Sequence, residues 1–312
     1  MSDQTVQVLI TEEQNPEEGR GGGSIWGDAF RTLRRRPEVI IAALVALFFL
    51  VVALFPKLFT SQDPQHCDIA DSGIPPQGFG GAHPFGTDIT GCDMLAGVVY
   101  GARPSLLLAF IVVGLSVLIG VTLGTLAGFY LGWVDTIISR AVEVFLVIPL
   151  LLAALLLLSL FHGAETSGVL GSILQPALVL TLFGWMGYTR YVRANVLETK
   201  NLDYVVAARV LGASDLRIMV RHVLPNAIGT VTALVPTAIA GVIGTEAVLA
   251  FLGIGVRPPA VSWGILISNG SERFAAGSQY LLLFPLGCLV LTVLAFVILG
   301  DALRDALDPK LK

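Results

Sequence analysis

Six stretches of apolar residues, each long enough to cross a lipid bilayer, constrain the fold of this chain more than any other feature of its sequence. Crossing a hydrocarbon core of about 30 Å takes about 20 residues of α-helix, and the backbone there must be helical because lipid offers it no hydrogen-bond partners. The sequence therefore predicts an all-α membrane protein with six transmembrane helices, at about residues 38–58, 103–130, 140–161, 170–190, 226–250 and 279–300.

The composition supports this class and excludes others. Hydrophobic residues make up 54% of the chain and charged residues only 13%, whereas an ordinary soluble domain carries roughly 25% charged residues. The formal net charge of −4 resides in the first 20 residues, which hold five acidic side chains and Arg20, and the rest of the chain is neutral. A nucleic-acid partner would require a basic excess, so none is expected.

The loops between the spans differ in their content of Lys and Arg, which are enriched on the cytoplasmic side of membrane proteins. Neither residue type occurs in residues 58–102, after the first span. Both are abundant before span one, between spans four and five, and after span six: Arg31, Arg34, Arg35 and Arg36; Arg190, Arg193, Lys200, Arg209, Arg217 and Arg221; Arg304, Lys310 and Lys312. With six spans these groups share one side, so both termini are expected in the cytoplasm.

The chain divides into five parts on this scheme. Residues 1–24 are expected to form a disordered cytoplasmic tail. Residues 25–37 are expected to form an amphipathic elbow helix in the inner interface, because Trp26, Phe30 and Leu33 recur at helical spacing beside the arginines; the alternative is a basic flank that only orients span one. The other parts are the first span with its extracytoplasmic loop, the core transmembrane domain, and a cytoplasmic C-terminal tail, at residues 38–102, 103–303 and 304–312.

Small residues and prolines mark positions where the spans can approach one another or bend. In span two a small residue recurs every four positions along one helix face, at Ser116, Gly120, Gly124 and Gly128. Such a face lets another helix approach closely, and packing inside the subunit is the expected use, with or without dimerisation. Spans three to six each contain one proline, to which no specific role is assigned: Pro149, Pro176, Pro236 and Pro285.

Ionisable residues inside a membrane are by default candidates for function, and this chain has few. Glu143 lies near the inner end of span three and Glu246 near the outer end of span five, where a structural role is at least as good an interpretation as transport. No Ser–His or Ser–Lys pair lies at one membrane depth, which argues against an intramembrane protease. The dipeptide Gly-Lys is absent, so the chain has no P-loop for ATP. We expect a non-enzymatic subunit without its own cofactor or metal.

The cytoplasmic loop between spans four and five, Asp203 to Asn226, is the most informative segment. It is predicted to form two short helices joined by a sharp corner. Gly212 lies where a helix C′ residue adopts positive φ, Ser214 is a good N-cap for the second helix, and Asp215 adds favourable charge to its first turn. Pro225 is expected to end that helix. The predicted apolar faces are Tyr204, Val205, Ala208 and Leu211 on the first helix, and Leu216, Met219, Val220 and Val223 on the second.

A compact corner with small alanines and a cationic rim is suited to docking into another protein. The alternative, an amphipathic loop lying on the membrane, explains the apolar stripe but explains a capped corner less well. The loop resembles the EAA loop of ABC-importer permeases, E-A-A-x3-G-x9-I-x-L-P, with Val206 in place of the usual Glu and His222 in place of the usual Ile. The resemblance implies an ATPase-coupling surface over residues 203–225, with these residues: Ala207, Ala208, Gly212, Ser214, Asp215, Leu216, Leu224 and Pro225.

Four other segments resemble the C-type permease of dipeptide and oligopeptide importers, so that the likeness extends from Trp26 to Lys312. Residues 83–88 are similar to its H-P-x-G-T-D, and residues 100–106 to its Y-G-A-R-x-S-L. Residues 251–264 resemble its F-L-G-x-G, P-P and S-W-G, and residues 300–309 resemble its C-terminal tail. The resemblance implies the type I ABC-importer permease fold.

The resemblance also implies that the chain works in a complex in the bacterial inner membrane. Such a permease would pair with a homologous second permease to form the pore. Two ATPase subunits would bind ATP and Mg²⁺ below it, and an extracytoplasmic peptide-binding protein would deliver dipeptides or oligopeptides. Nickel or glutathione is the alternative cargo, because importers of these use similar permeases. A self-contained secondary transporter is the rival of a different class, although the sequence has neither the internal repeat nor the midplane charge typical of one.

On the outer side, the segment from Gly253 to Gly270 is expected to line the mouth of the pathway. Its candidate residues are Arg257 and Trp263, together with Glu246 at the end of span five. Arg257 could bind a peptide carboxylate, but a plain loop packed on the partner permease is the preferred interpretation.

Two of the three cysteines, Cys67 and Cys92, fall in the predicted extracytoplasmic loop, an oxidising location in which disulfides persist. Pairing them would close a loop of about 25 residues, for which the chain-entropy model gives roughly 3 kcal/mol of stabilisation. A disulfide is predicted, and two free thiols are the alternative. Cys288 lies in span six and is expected to be a small buried hydrophobe.

Overall fold

The computed structural model describes Gly27, residues 31–160 and residues 168–307. The predicted tail of residues 1–24 lies outside these ranges, as do Trp26 and Phe30 of the predicted elbow helix and residues 308–312 at the other end. Within the described ranges the protein consists of helices and loops, with one isolated antiparallel bridge between Thr87 and Asp93.

The helices are numbered here in chain order. The first five are α1 Pro37–Leu54, α2 Met94–Tyr130, α3 Gly132–Val147, α4 Leu150–Leu160 and α5 Gly168–Thr199. The loop between spans four and five contributes α6 Asp203–Val210 and α7 Asp215–Ile218, which continues as a π-helical segment, Met219–Val223. The last four are α8 Leu224–Thr232, α9 Val235–Phe251, α10 Trp263–Arg273 and α11 Tyr280–Leu307. Short 3₁₀ turns cover Pro56–Leu58, Ile69–Asp71 and Phe274–Ala276.

The membrane-spanning helices follow the predicted order along the chain. In the described ranges α1, α2, α5 and α11 are each long and apolar enough to cross a membrane unbroken. Two further spans are bent pairs: α3 with α4 at 84°, and the run Asp215–Thr232 with α9 at 51°. Counting each pair as one span gives up to six, as predicted. The last helix continues to Leu307, so it includes the first residues of the predicted C-terminal tail.

Two of the four prolines in the spans mark these bends. Pro149 immediately precedes α4, and Pro236 lies in the first turn of α9. Pro176 and Pro285 lie inside continuous helices. A proline lacks the N–H that the preceding turn would bond, so a helix can break there, but neighbouring helices in a membrane often hold it straight.

The seam between α2 and α5, called the glycine seam below, is the most extensive helix contact among the described residues. A Cβ atom added to Gly124 would lie 2.6 Å from the carbonyl oxygen of Thr189, and one added to Gly128 would lie 2.8 Å from Cβ of Val196. Ser116 faces Gly184 across the same seam. The small residues of span two are thus used for packing inside the subunit, which confirms the internal interpretation.

A folded cap between α1 and α2 covers the end of the molecule that is predicted to face outward. Asp93 caps α2: its carboxylate accepts a bond of 2.7 Å from the N–H of Ala96 and is bonded to Nδ1 of His83 at 3.0 Å. The hydroxyl of Tyr280 on α11 donates to the carbonyl of Thr87 at 2.8 Å. Because of this cap α2 begins at Met94, before the point at which hydropathy places span two.

A disulfide joins Cys67 and Cys92 in this cap, with Cα atoms 4.2 Å apart. It ties the first half of the cap to the turn that leads into α2. Cys288 is free and partly buried in α11.

Candidate functional site

The corner predicted in the loop between spans four and five is formed by α6, the turn at Gly212 and α7. Gly212 has φ +82°, as predicted for the C′ position of α6. No atom lies within 4 Å of a Cβ added there, so the requirement for glycine comes from the backbone conformation alone. Ser214 is the N-cap residue of α7 with extended φ and ψ, although its hydroxyl makes no capping hydrogen bond.

The buried side of the corner is fixed to the transmembrane core. Val205, Ile218 and Val223 are fully buried and belong to one apolar cluster with Val192 and Val196 of α5. Burial of a branched aliphatic side chain contributes about 1.5–3 kcal/mol, so these contacts hold the corner firmly against α5. The corner therefore cannot move without carrying the inner end of α5 with it.

The opposite side of the corner is an exposed apolar patch. We call it the corner surface and define it by the exposed side chains Val206 (45%), Val210 (82%), Leu211 (87%), Leu216 (66%) and Val220 (54%). Five exposed apolar side chains on one surface of a loop that joins two spans indicate a site for another protein. Around it, Ala207, Ser214, Asp215 and Pro225 are exposed, and Ala208 and Leu224 are half-buried.

The predicted apolar faces of the two short helices are only partly buried in the structure. Leu211, Leu216 and Val220 are exposed, and the buried stripe of the second helix is Ile218, Met219 and Val223. Both sets have helical spacing, and which one is buried depends on how α7 is rotated against α5.

The second helix also does not end at Pro225. It widens into the π-helical segment Met219–Val223 and continues as α8, with Pro225 in the first turn of that helix. A proline lacks an N–H and its ring crowds the carbonyl four residues back, and a single wide turn accommodates both effects. Asn226 spans the junction, since its amide donates to the hydroxyl of Tyr204 at 2.9 Å and to the carbonyl of His222 at 2.8 Å.

Two polar contacts that the sequence did not reveal connect the inner end of α5 with α2 and α3. The Lys200 ammonium donates to the carbonyl of Gly128 at 2.9 Å, near the end of α2. Burial lowers the pKa of Lys200, and the charge of Arg209 lowers it further. Arg193 donates two hydrogen bonds to the carboxylate of Asp135 on α3. The Lys and Arg residues of this region therefore make structural contacts in addition to indicating the orientation of the chain.

At the outer end, Glu246 of α9 is 1% exposed and is the centre of a buried hydrogen-bond network. Its carboxylate accepts a bond of 2.7 Å from the hydroxyl of Ser262 and a longer one of 3.5 Å from Ser105 on α2. The N–H of Trp263 donates to the Ser105 hydroxyl at 3.2 Å, and its indole N–H donates to the carbonyl of Val98 at 2.8 Å. The network joins the start of α10 to α2 and α9.

This burial changes the interpretation of the predicted mouth residues. Glu246 and Trp263 point into the subunit and reach no open surface, so they hold α10 in place rather than line a passage. The backbone N–H of Arg257 donates to the carbonyl of Ser172 at 3.3 Å, which fastens the α9–α10 loop to the outer end of α5.

Residues 120–312 match the protein family described as binding-protein-dependent transport system inner membrane component. The dipeptide transport system permease protein DppC of Bacillus subtilis is 34% identical over 307 residues, which cover 97% of this chain and 92% of that protein. The oligopeptide transport system permease protein OppC of the same organism is 34% identical and covers 93% of this chain and 91% of its own length. The glutathione transport system permease protein GsiD of Pectobacterium atrosepticum is 33% identical, with 92% of each chain covered.

Among solved structures, the fold is similar to a chain of the MetNI methionine ABC transporter in an inward-facing conformation. The TM-score is 0.54 at 20% identity, and the match covers 69% of this chain and 98% of that chain. A likeness at this identity concerns the fold alone, and it agrees with the helical architecture described above. This chain belongs to the family of binding-protein-dependent transport system inner membrane components and is a permease subunit of the ABC-importer type.

Proposed function

We propose that this subunit forms half of the translocation pore of an ATP-driven importer for dipeptides or oligopeptides, with its driving force delivered at the corner surface. The observation that carries the proposal is the two-sided corner: three fully buried aliphatic side chains fix it to α5, while five others are 45–87% exposed outside the membrane. A loop lying on the membrane does not need a sharp positive-φ turn, whereas a rigid element pushed by another protein does.

The partners are inferred from the lack of a P-loop in this sequence and from the exposed corner surface. A homologous second permease would complete the pore. Two ATPase subunits, each holding ATP and Mg²⁺, would dock on the corner surfaces of the two permeases. An extracytoplasmic peptide-binding protein would deliver cargo to the outer side. The location is the inner membrane of a bacterium with both termini in the cytoplasm, in keeping with the distribution of Lys and Arg between the loops.

The route of coupling can be followed residue by residue. A push on the corner surface displaces Val205 and Ile218, which are packed against Val192 and Val196 of α5. At the glycine seam α5 contacts α2 backbone to backbone, so the two helices move as one unit. ATP binding and hydrolysis in the partners would thereby switch the pore between outward and inward access.

Val206 stands where ABC-importer permeases usually have Glu, and this difference affects how the ATPase would bind the corner surface. Val206 is 45% exposed beside other apolar side chains, so the contact there would be apolar instead of polar. The ATPase surface that contacts Val206 should then be lined by apolar residues.

Peptides are favoured as cargo by the full-length likeness to dipeptide and oligopeptide permeases. Glutathione, itself a small peptide, is the second candidate because its permease is nearly as similar, and nickel is the third. The rival of a different class, a self-contained secondary transporter, gives no account of the corner surface.

The proposal is tested by peptide uptake in cells that lack this chain and are complemented with variants. Leu211→Asp places a charge in the corner surface and should abolish uptake and the co-purification of the ATPase. The matched control is Ile69→Asp, at an 81% exposed position in the outer cap, which should transport normally. If Leu211→Asp imports dipeptides at the wild-type rate with its ATPase bound, the corner surface is not the docking site. If the wild-type chain restores no peptide uptake, the cargo assignment is wrong.

A further inference from the structure

A cleft of about 400 Å³ opens on the outer side between the cap and α10. Its floor is apolar and is formed by Met94 and Gly97 of α2 together with Ile265 and Leu266 of α10. This volume is within the range of small-molecule sites, which are typically about 300–1,000 Å³. Several of its lining residues belong to the segment from Gly253 to Gly270, which was expected to line the mouth of the pathway: Val261, Ile265, Leu266, Asn269 and Gly270.

Each wall of the cleft is held in place by its own bonds. The cap wall carries Cys92, whose disulfide to Cys67 closes the cap. Beside it one carboxylate oxygen of Asp88 accepts from the N–H of Thr90 at 2.8 Å and from the N–H of Cys92 at 2.9 Å. On the other wall, the Ser262 hydroxyl both caps α10 and donates to Glu246. Fixed walls are what a binding site requires, because a loose site loses affinity when it must be ordered.

The rim carries charges of both signs. Asp88 lines the cap wall, and Glu272 and Arg273 line the far end of α10. Glu272 and Arg273 are exposed, and neither takes part in an ion pair with another residue in the described ranges. Asn269 adds an amide between them and the floor. An apolar floor between carboxylates and a guanidinium is complementary to a small zwitterion that bears an apolar side chain.

We propose that this cleft is a receiving site for a short peptide on the outer face of the permease. The peptide α-ammonium would be bound by Asp88 or Glu272, its carboxylate by Arg273, and an apolar side chain would rest on Ile265 and Leu266. The inference rests on the proposed function, since it takes peptides as the cargo. A segment of a docked protein is the other conceivable occupant, but a cleft of this volume with opposite charges fits a free zwitterion better.

The test uses the assembled importer without its binding protein and a photoreactive dipeptide, alanyl-benzoylphenylalanine. Illumination should give saturable labelling, mapped by mass spectrometry to Met94, Ile265 or Leu266, which unlabelled Ala-Phe should compete away. Arg273→Gln should raise the half-saturating concentration about tenfold, as expected for loss of one charged hydrogen-bond pair. Amidating the peptide should raise the half-saturating concentration of the wild type by the same factor and should not raise that of Arg273→Gln any further. Lys57→Gln, at an exposed cation that does not line the cleft, is the control and should behave as wild type.

The outcomes separate this inference from the proposed function. If the complete importer takes up Ala-Phe but labelling at millimolar peptide falls outside the cleft, or is equal in wild type and Arg273→Gln, the receiving site is disproved while the importer assignment stands. If Arg273→Gln instead loses only the binding protein, the cleft docks a protein and the inference is equally wrong. If the complete wild-type importer takes up no peptide, the proposed function itself fails.

Discussion

Arg193 on α5 and Asp135 in the first turn of α3 are joined by two parallel hydrogen bonds of 2.5 and 2.6 Å. The hydroxyl of Ser139 donates a third bond to the same carboxylate, at 3.1 Å. The pair ties the first half of a bent span to the end of α5 against which the corner is packed. Any displacement of α5 at the corner is therefore passed to α3.

This pair predicts different effects of substitution at two arginines, Arg193 in the pair and Arg140 on α3. Arg193→Lys keeps the charge but cannot make the paired bonds, so it should lower peptide uptake several-fold. Asp135→Asn should do the same. Arg140→Gln is the control, because Arg140 pairs with Glu143 at a site where the side chains are 74% and 58% exposed, and exposed pairs contribute about 0–1 kcal/mol. Equal uptake by Arg193→Lys and Arg140→Gln would refute the linkage.

The glycine seam predicts that the effect of a Gly→Ala substitution on stability depends strongly on its position in α2. Gly124→Ala would bring a Cβ within 2.6 Å of the Thr189 carbonyl oxygen, so the helices must separate and the yield of folded protein should fall. Gly114→Ala on the same helix meets no atom within 4 Å and should be tolerated or slightly stabilising, since Ala is the better helix former by up to about 1 kcal/mol. The measurement is the monodisperse fraction after solubilisation and heating. The seam has no such role if the two variants have equal thermal midpoints.

The buried network predicts that hydrogen bonding at Glu246 matters more than its charge. Glu246→Gln can still accept from Ser262 and donate to Ser105, so uptake should remain within a few-fold of wild type. Glu246→Leu leaves the O–H donors of two buried hydroxyl groups, Ser105 and Ser262, without an acceptor, at about 1–3 kcal/mol each, and should abolish uptake by releasing α10. Uptake assays on membranes with matched expression decide this, and a functional Glu246→Leu would show that the network is dispensable.

The disulfide predicts a redox-sensitive cap. Mass spectrometry of alkylated, non-reduced protein should find Cys67 and Cys92 cross-linked and Cys288 as a free thiol. Cys67→Ser should lower the stability of the cap by roughly 3 kcal/mol on the chain-entropy model, for a sequence separation of 25 residues. Limited proteolysis of the cap measures this loss. Recovery of Cys67 and Cys92 as separately alkylated peptides would rule the bridge out.

Hydropathy and residue spacing predict much of the fold. The order of the spans follows from apolar runs alone, because lipid leaves the backbone no alternative to a helix. The position of Gly212 follows equally from local chemistry, because a sharp turn after a helix requires positive φ. The start of α2 was predicted too late, at about residue 103, because the apolar residues 94–102, which follow the N-cap Asp93, were assigned to the loop.

What the sequence could not supply depends on tertiary contacts. Leu216 and Ile218 are both apolar and lie two residues apart, and only the rotation of α7 against α5 decides that Ile218 is buried and Leu216 exposed. Pro149 and Pro176 carry the same local signal, yet only the first coincides with a bend. From the sequence alone, Glu246 is predicted to be a carboxylate near the membrane interface. Only the tertiary fold places Ser105 and Ser262, from two other helices, within hydrogen-bond distance of it.

The central claim, that this permease is driven through its cytoplasmic corner, is tested most directly at Gly212 in the importer reconstituted into vesicles. Peptide import and ATP hydrolysis stimulated by the loaded binding protein are measured together for Gly212→Val and Gly212→Asn. Val opposes the φ of +82° because it is β-branched, whereas Asn tolerates the left-handed region. The account predicts that both activities are lost together in Gly212→Val and largely retained in Gly212→Asn. Normal import and normal stimulated ATP hydrolysis in a correctly inserted Gly212→Val would contradict it.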